Sequence, residues 1–539
     1  MRRSNLRLAD DPRSATTPPT RRSRVEIWLN GAVAARPGPA LGRRAAVSPH
    51  WLVCAVTLCG AALRLYHLDY LSLWNDEIFS RYYYQTGLGF MWSEGLRSEN
   101  SPPLYYMALG GWIQLFGSGE AALRGLSAAC STAAIALVYR LGKEAAGGRT
   151  GLLAAALFAL SPTQIYYAQE TRPYALLLLP LGVMLLACLR WLQRPGRLRD
   201  LALYGGAAVI CVYIHATMVL LVFCAGLTVA AVAPGRWTDP ARLRWLAVNA
   251  AVALVAVPEL IGMAGQLEND TLTWIPSLRW RDIGAVVSNT VAGTLTPGQI
   301  GGMLALALLA ALAVALWRRP PDAAFAAAFI AVPALYAGGV LAVSLLAQPM
   351  MLSRIFCWMG IPLCLTQARA LLASGGGLRP LLAGLSAVTL GVGLFYQLAP
   401  SPDAKEPWRD VVAEAGGDLE RAALVVLGSD TDPSDLAYYA PPLNELRMLT
   451  PVPRPATEIG IMPALFGTGG ITPGEVAERI NAGRSRIAAV IRASDTSLAP
   501  TLRRARLPDR VVARLCRNGN GEATSFPCGV SVLIWDPVQ

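Results

Sequence analysis

Apolar runs of roughly 18 to 20 residues recur along the chain, each long enough to cross a hydrocarbon core about 30 Å thick. Examples are 151–169, 174–189, 243–262 and 323–346. The breaks between runs are short and carry most of the arginines. Basic loops fall at Arg140–Arg149 (with Lys143), Arg190–Arg199, Arg236–Arg244, Arg318–Arg319 and Arg369–Arg379. By the positive-inside rule all five belong with the N-terminus in the cytoplasm. The connections around 70–120, 167–173, 214–217, 265–296 and 347–353 then face outward. The pattern predicts about eleven spans: 49–66, 121–140, 151–168, 174–190, 201–214, 217–233, 243–263, 298–317, 323–346, 355–371 and 379–396. Odd parity puts the C-terminus outside.

Residues 103–117 test this threading, because a further span there would invert every later loop. The run is shorter than a normal span and is bracketed by Pro102–Pro103 and Gly117. It reads as an interfacial helix in the outer leaflet plane. Beyond residue 400 the pattern changes. Pro400, Pro402 and Pro407 form a linker, and mixed polar and apolar segments follow. ALVVLGS (423–429), RIAAVIR (486–492) and VSVLIW (530–535) read as buried strands; DPSDLAYYA and GEVAERINAG read as helices, the second stopped by Gly483. The expected fold is an α-helical polytopic membrane protein with a small C-terminal α/β extracytoplasmic domain. The expected parts are a disordered basic tail (1–48), a transmembrane portion (49–399) and the α/β domain (400–539).

Composition supports the membrane reading: 54% of the 539 residues are hydrophobic and only 15% charged, against about 25% charged in soluble domains. The net charge of +12 sits in the tail and the short loops, a topology signal and an attraction for anionic lipids rather than a nucleic-acid stripe. The tail has no apolar signal region directly after its start, so the first span is expected to act as an uncleaved insertion signal in the plasma (inner) membrane. No CxxC pair occurs and the three histidines are far apart, so a zinc site has little support. Cys516 and Cys528 lie in the polar C-terminal region and are placed to pair in an oxidising compartment.

Ionisable groups near a bilayer are costly and usually functional where they persist. Here they converge on the outer side: Asp76 and Glu77 after the first span, Glu99 before Pro102–Pro103, Arg124, then Gln169, Glu170, Arg172 and Tyr174, and further on His215, Trp274 and Arg354. Sugar transfer from a lipid-linked phosphate needs a base for the acceptor and cationic help for the leaving phosphate. Asp76 or Glu77 can be that base, and Arg124, Arg172 and Arg354 can grip a phosphate with a guanidinium fork. Each has a plainer reading. The Asp-Glu pair can cap a helix N-terminus, the arginines can snorkel to headgroups, Glu170 and Arg172 can be a structural ion pair, His215 a turn residue, and Trp274 part of an aromatic belt.

The motifs LWNDE, SPPLYYMALGGWIQLFG, AALRGLSA and SPTQIYYAQETRPYAL closely resemble the bacterial glycosyltransferase family 39 proteins. These are GT-C membrane enzymes, similar to protein O-mannosyltransferases and lipid A aminoarabinose transferases. The resemblance is dense over about residues 49–235 and thinner through LTWIPSLRWRD, the Arg354 segment and KEPWRDVV (405–412). It implies inverting transfer from a polyprenyl-phosphate sugar to a protein, lipid or glycan acceptor at the outer face. Asp76 would be the base, Glu77 would position it or the acceptor, and Arg124 and Arg354 would hold the donor phosphate. Gln169, Glu170 and Arg172 match the second outer-loop motif. Where many relatives carry a His before the Pro-Pro pair, this chain has Ser101, and Glu99 is placed to supply a second carboxylate. No cofactor or metal is expected.

Two other classes compete. A transporter or flippase would place charges near the midplane and often show internal repeats; neither feature is found. A membrane scaffold would not need Asp76, Glu99 and Glu170 on one side.

Overall fold

The computed structural model describes residues 50–538 apart from 98, 100, 234–235, 269–271, 273–274, 276, 402–403, 429–430, 441–447, 452–468, 494, 496–497 and 517–528. The expected 1–48 tail, Trp274 and Cys528 therefore lie outside the described residues, while Cys516 is buried and disulfide-bonded.

The apolar runs are helices. Among the described residues six are long and apolar enough to cross a membrane: Glu120–Ala146, Tyr174–Gln193, Gly298–Arg318, Ala323–Leu346, Ser353–Ala373 and Leu378–Leu398. Two bent pairs bring the number to eight if each is counted as one span: Gly148–Leu160 with Pro162–Ala168, and Pro240–Val255 with Val257–Glu268. The remaining expected segments form the shorter helices His50–Leu65, Leu198–Val212 and Met218–Val232. The chain is thus a multi-pass membrane protein. Residues 103–117 form the helix Pro103–Phe116, which buries Tyr105, Tyr106, Leu109 and Ile113 on one stripe.

The first bent pair turns by 60° at Ser161–Pro162. Proline has no N–H to continue the ladder and is well placed to begin the next helix. The break leaves carbonyls without helical donors, and the buried Arg64 of the first helix fills the gap. Its guanidinium donates to the carbonyls of Ala159 (3.0 Å) and Phe158 (3.3 Å), to Gly60 O and to Ser131 Oγ. The bend redirects the helix Pro162–Ala168, whose Gln164 Nε2 donates to Cys357 O at 2.7 Å.

After residue 407 the helix Trp408–Arg421 leads into a six-stranded sheet. Its strands are β1 (Leu424–Leu427), β2 (Met448–Pro451), β3 (Gly469–Ile471), β4 (Ile487–Arg492), β5 (Arg510–Leu515) and β6 (Gly529–Trp535). The order is β3-β2-β1-β4-β6-β5, with β1 to β4 parallel and β5 and β6 antiparallel. The three segments read from sequence as strands are β1, β4 and β6; β2, β3 and β5 are too short or too polar to stand out. Alternation splits β1 between two layers. Leu424 and Val426 face the helix Pro473–Ala482, which ends at Gly483 with the left-handed φ of 60° that glycine adopts without cost. Val425 and Leu427 share a core with Trp408, Val411, Ala415 and Leu419 of the preceding helix.

That second core continues without a break into the membrane portion, taking in Leu73, Ile78, Tyr83, Tyr105 and Leu123. Residues Val47–Gln539 form one compact unit. The sheet is packed onto the segment that follows the first helix rather than tethered beside it.

Candidate active site

The site is organised by the short helix Asn75–Tyr83, with Trp74 as its N-cap. Helix N-termini expose unpaired N–H groups and favour nearby carboxylates. Successive side chains on a helix point about 100° apart, so Asp76 and Glu77 face different surroundings.

Glu77 is completely buried. Its two oxygens accept a bidentate pair from Arg124 Nε and Nη2, both at 2.8 Å. Thr171 N donates at 2.9 Å, and Lys405 Nζ lies 3.2 Å away. Lys405 Nζ is also 3.3 Å from Glu170, so two carboxylates and two cations share a dry cluster. Burial alone would push the Glu77 carboxyl up, but the charges of Arg124 and Lys405 outweigh it and hold the group down at about 2. The other N–H groups of Arg124 donate to the carbonyls of Leu68, Leu71 and Ser72. All five guanidinium N–H groups are thereby used. The phosphate ligand expected at Arg124 meets a side chain with no donor to spare.

Asp76 faces the other way, with a quarter of its side chain exposed. Its Oδ2 accepts from Arg354 Nη1 at 2.8 Å and lies 3.8 Å from Arg172 Nη2. The same Arg172 nitrogen is 3.8 Å from Glu99 Oε1, while Arg172 Nη1 donates to Asp76 O and Ser80 Oγ. The spacing across Arg172 is too long for tight hydrogen bonds. Burial and the neighbouring Asp76 raise the Glu99 carboxyl above its ordinary value, against the pull of Arg172. Arg354 also lies over the Trp74 ring, 5.9 Å from its centroid. Trp74 Nε1, Ser101 Oγ and Arg172 Nε are buried without a hydrogen-bond partner among the described residues. Unmet donors of this kind are costly.

The other expected residues divide. His215 is buried, pairs through Nδ1 with Thr217 and lies 5.9 Å from the Tyr174 ring. Burial, reinforced by Arg172 and Arg354, holds its imidazole down at about 3, hence neutral. Tyr174 stacks edge-on against Tyr167 beside Cys357. Gln169 is turned away from Asp76: its amide donates to Arg64 O and Tyr66 O and accepts from Gln397. Glu170 belongs to the dry cluster. Among the described residues no group of three His, Cys, Asp or Glu side chains is arranged to hold a metal ion.

Sequence reasoning missed Lys405 and Glu406. Glu406 Oε2 accepts from Asn75 N at 3.1 Å and from Trp408 Nε1, and its Oε1 pairs with Arg492 of β4. The two residues follow a proline-rich linker and look like solvated charges. The KEPWRDVV resemblance was the only signal pointing to them.

The chain matches the family model for dolichyl-phosphate-mannose-protein mannosyltransferase over residues 100–261. No curated protein matches it significantly in sequence. Its fold is similar to that of ArnT from Cupriavidus metallidurans bound to undecaprenyl phosphate, at 13% identity and a TM-score of 0.52, covering 90% of this chain and 98% of that one. For the same protein in the apo state the values are 14%, 0.51, 91% and 98%.

Proposed function

Since the chain carries the fold of the GT-C glycosyltransferase superfamily, we propose that it transfers a glycosyl group from a polyprenyl-phosphate sugar to an acceptor outside the cytoplasm. The observation that carries this reading is Asp76, a half-open carboxylate set between the guanidinium groups of Arg354 and Arg172. A base beside two phosphate-seeking cations suits displacement at an anomeric carbon better than transport. The relative with undecaprenyl phosphate bound supports a polyprenyl carrier.

In this mechanism the donor phosphate takes over the guanidinium contacts now made by Asp76, which frees Asp76 Oδ2 for the acceptor hydroxyl. The acceptor oxygen attacks the anomeric carbon from the face opposite the phosphate. The carbon–oxygen bond to phosphate breaks with inversion, the proton passes to Asp76, and polyprenyl phosphate departs with its charge held by Arg172 and Arg354. Glu99 limits how far Arg172 swings. Arg124 and Glu77 act beneath the site by fixing the helix that carries Asp76. His215, Tyr174 and Trp274 are assigned to the substrate pocket, and no metal is given a role.

The proposed topology keeps eleven spans, a cytoplasmic basic tail and the α/β portion on the outer face of the plasma (inner) membrane. Sugar, carrier length and acceptor are chosen by experiment. Purified protein in nanodiscs is offered a panel of labelled polyprenyl-phosphate sugars with an envelope extract, and products are weighed by mass spectrometry. Transfer by wild type and none by Asp76→Asn is expected; equal turnover by both removes Asp76 as base.

A further inference from the structure

The α/β portion has so far been only a neighbour of the site. Its contacts with the Asp76 turn are unusually direct. Lys405 and Glu406, adjacent in sequence, enter the turn at two different points. Lys405 joins Glu77 to Glu170, linking the first outer loop to the second. Glu406 accepts from the N–H of Asn75, the first residue of the Asp76 helix, and is itself fixed by Arg492 of β4 and by Trp408. Asp435, on the helix after β1, accepts from Asn75 Nδ2 at 3.0 Å. Tyr439 of the same helix accepts from Leu73 N at 2.8 Å and donates to Glu120. Arg409 reaches Asp69 O and pairs with Glu120.

Residues 69–77 are therefore held from the sheet side at Asp69, Ser72, Leu73, Asn75 and Glu77. Asp76 lies between the last two anchors. We infer that the α/β portion is a working part of the active site: Lys405 and Glu406 are positioning residues that fix the Asp76 helix, and the sheet acts through them rather than as an acceptor-reading appendage. The inference rests on the glycosyl-transfer reading and deepens it.

The physical reason is geometric. Anchors on both sides of Asp76, at Asn75 N and the Glu77 side chain, restrict its backbone, and a displacement of about 1 Å from attack geometry is enough to cost roughly a hundredfold in rate. Arg354 sits on a separate element that these contacts do not reach, and Arg172 is approached only through Lys405 and Glu170, two residues before it, so donor capture should survive when the Glu406 anchor is removed.

The test uses the full-length protein in nanodiscs and the donor found active in the panel. Lys405→Met alone strands the buried Glu170, so the charge-balanced Lys405→Met/Glu170→Gln pair is the main variant. Replacing a buried ion pair by groups of similar volume is often neutral for stability. Glu406→Gln and Lys405→Arg accompany it, with thermal unfolding as the check on folding. The expected result is kcat down about ten- to a hundredfold in the double variant and in Glu406→Gln, donor KM within twofold of wild type in Glu406→Gln, and recovery of most of kcat in Lys405→Arg. Folded variants with wild-type kcat overturn the inference, as does a rise in acceptor KM with kcat unchanged, which would make the sheet an acceptor-binding element. Absence of transfer by wild type with every donor instead removes the underlying glycosyl-transfer reading.

Discussion

Asp76 and Glu77 are neighbours in sequence, and the fold treats them in opposite ways. Glu77 is dry and saturated: a bidentate arginine, a backbone N–H and a lysine fill its lone pairs. Asp76 keeps a quarter of its side chain exposed and shares its cations at 2.8 and 3.8 Å. The arginines follow the same division, Arg124 spent entirely on protein and Arg172 with a buried Nε still unpartnered. On the proposed reading, the group that exchanges partners during turnover is the loosely held one, and the group that stays put has every bond made.

The sharpest way to break this division is to neutralise each of the two carboxylates in turn. Asp76→Asn should lower transfer by about 10²- to 10⁴-fold, the range for loss of a general base, with the melting temperature little changed; assays of turnover and thermal unfolding on one preparation check both halves. Glu77→Ala should do the reverse in kind, costing about 3–5 kcal/mol of stability because Arg124 is left buried without its partner. Denaturation in detergent or nanodiscs measures it. Next in size are the arginines. Arg354→Ala should weaken donor binding by the roughly 1.5–3 kcal/mol of a charged hydrogen bond, read by titration with the donor, whereas Arg124→Ala should lose stability first.

Acidity gives the smallest and most diagnostic contrast. The folded protein holds Glu77 at about 2, below its unfolded value of 4.5. Its contribution is therefore present above pH 4.5 and fades as pH falls toward 2. Glu99 is raised by burial, so its contribution is full below the unfolded value and fades as pH rises through the folded one. Stability against pH for Glu99→Gln should accordingly lose its decline on the alkaline side of that window while keeping the acid-side loss due to Glu77.

Much of the helical plan was legible because apolar length and arginine placement are one-dimensional signals. Each predicted span coincides with a helix or a bent pair, and the residues Asp76, Glu99, Arg172 and Arg354 from distant segments do come together. The division of labour among them was not legible. Arg124 and Arg172 look alike in sequence, and only counting satisfied N–H groups separates them. Gln169 sits in the same motif as Arg172 yet turns to Arg64 and Tyr66. Lys405 and Glu406 read as linker charges because nothing local says that the chain folds back more than 300 residues to meet Glu77 and Asn75.

By itself the sequence determined that this chain is a multi-pass membrane protein with polar chemistry gathered in a few connections between its apolar runs, since hydrophobic length and charge bias act residue by residue. The tertiary structure alone decided which carboxylate is buried and which is open, and which arginine has donors left. It also decided that the sheet grips the Asp76 turn. Burial and hydrogen-bond saturation are properties of a surrounding, and a surrounding exists only once distant segments have packed together.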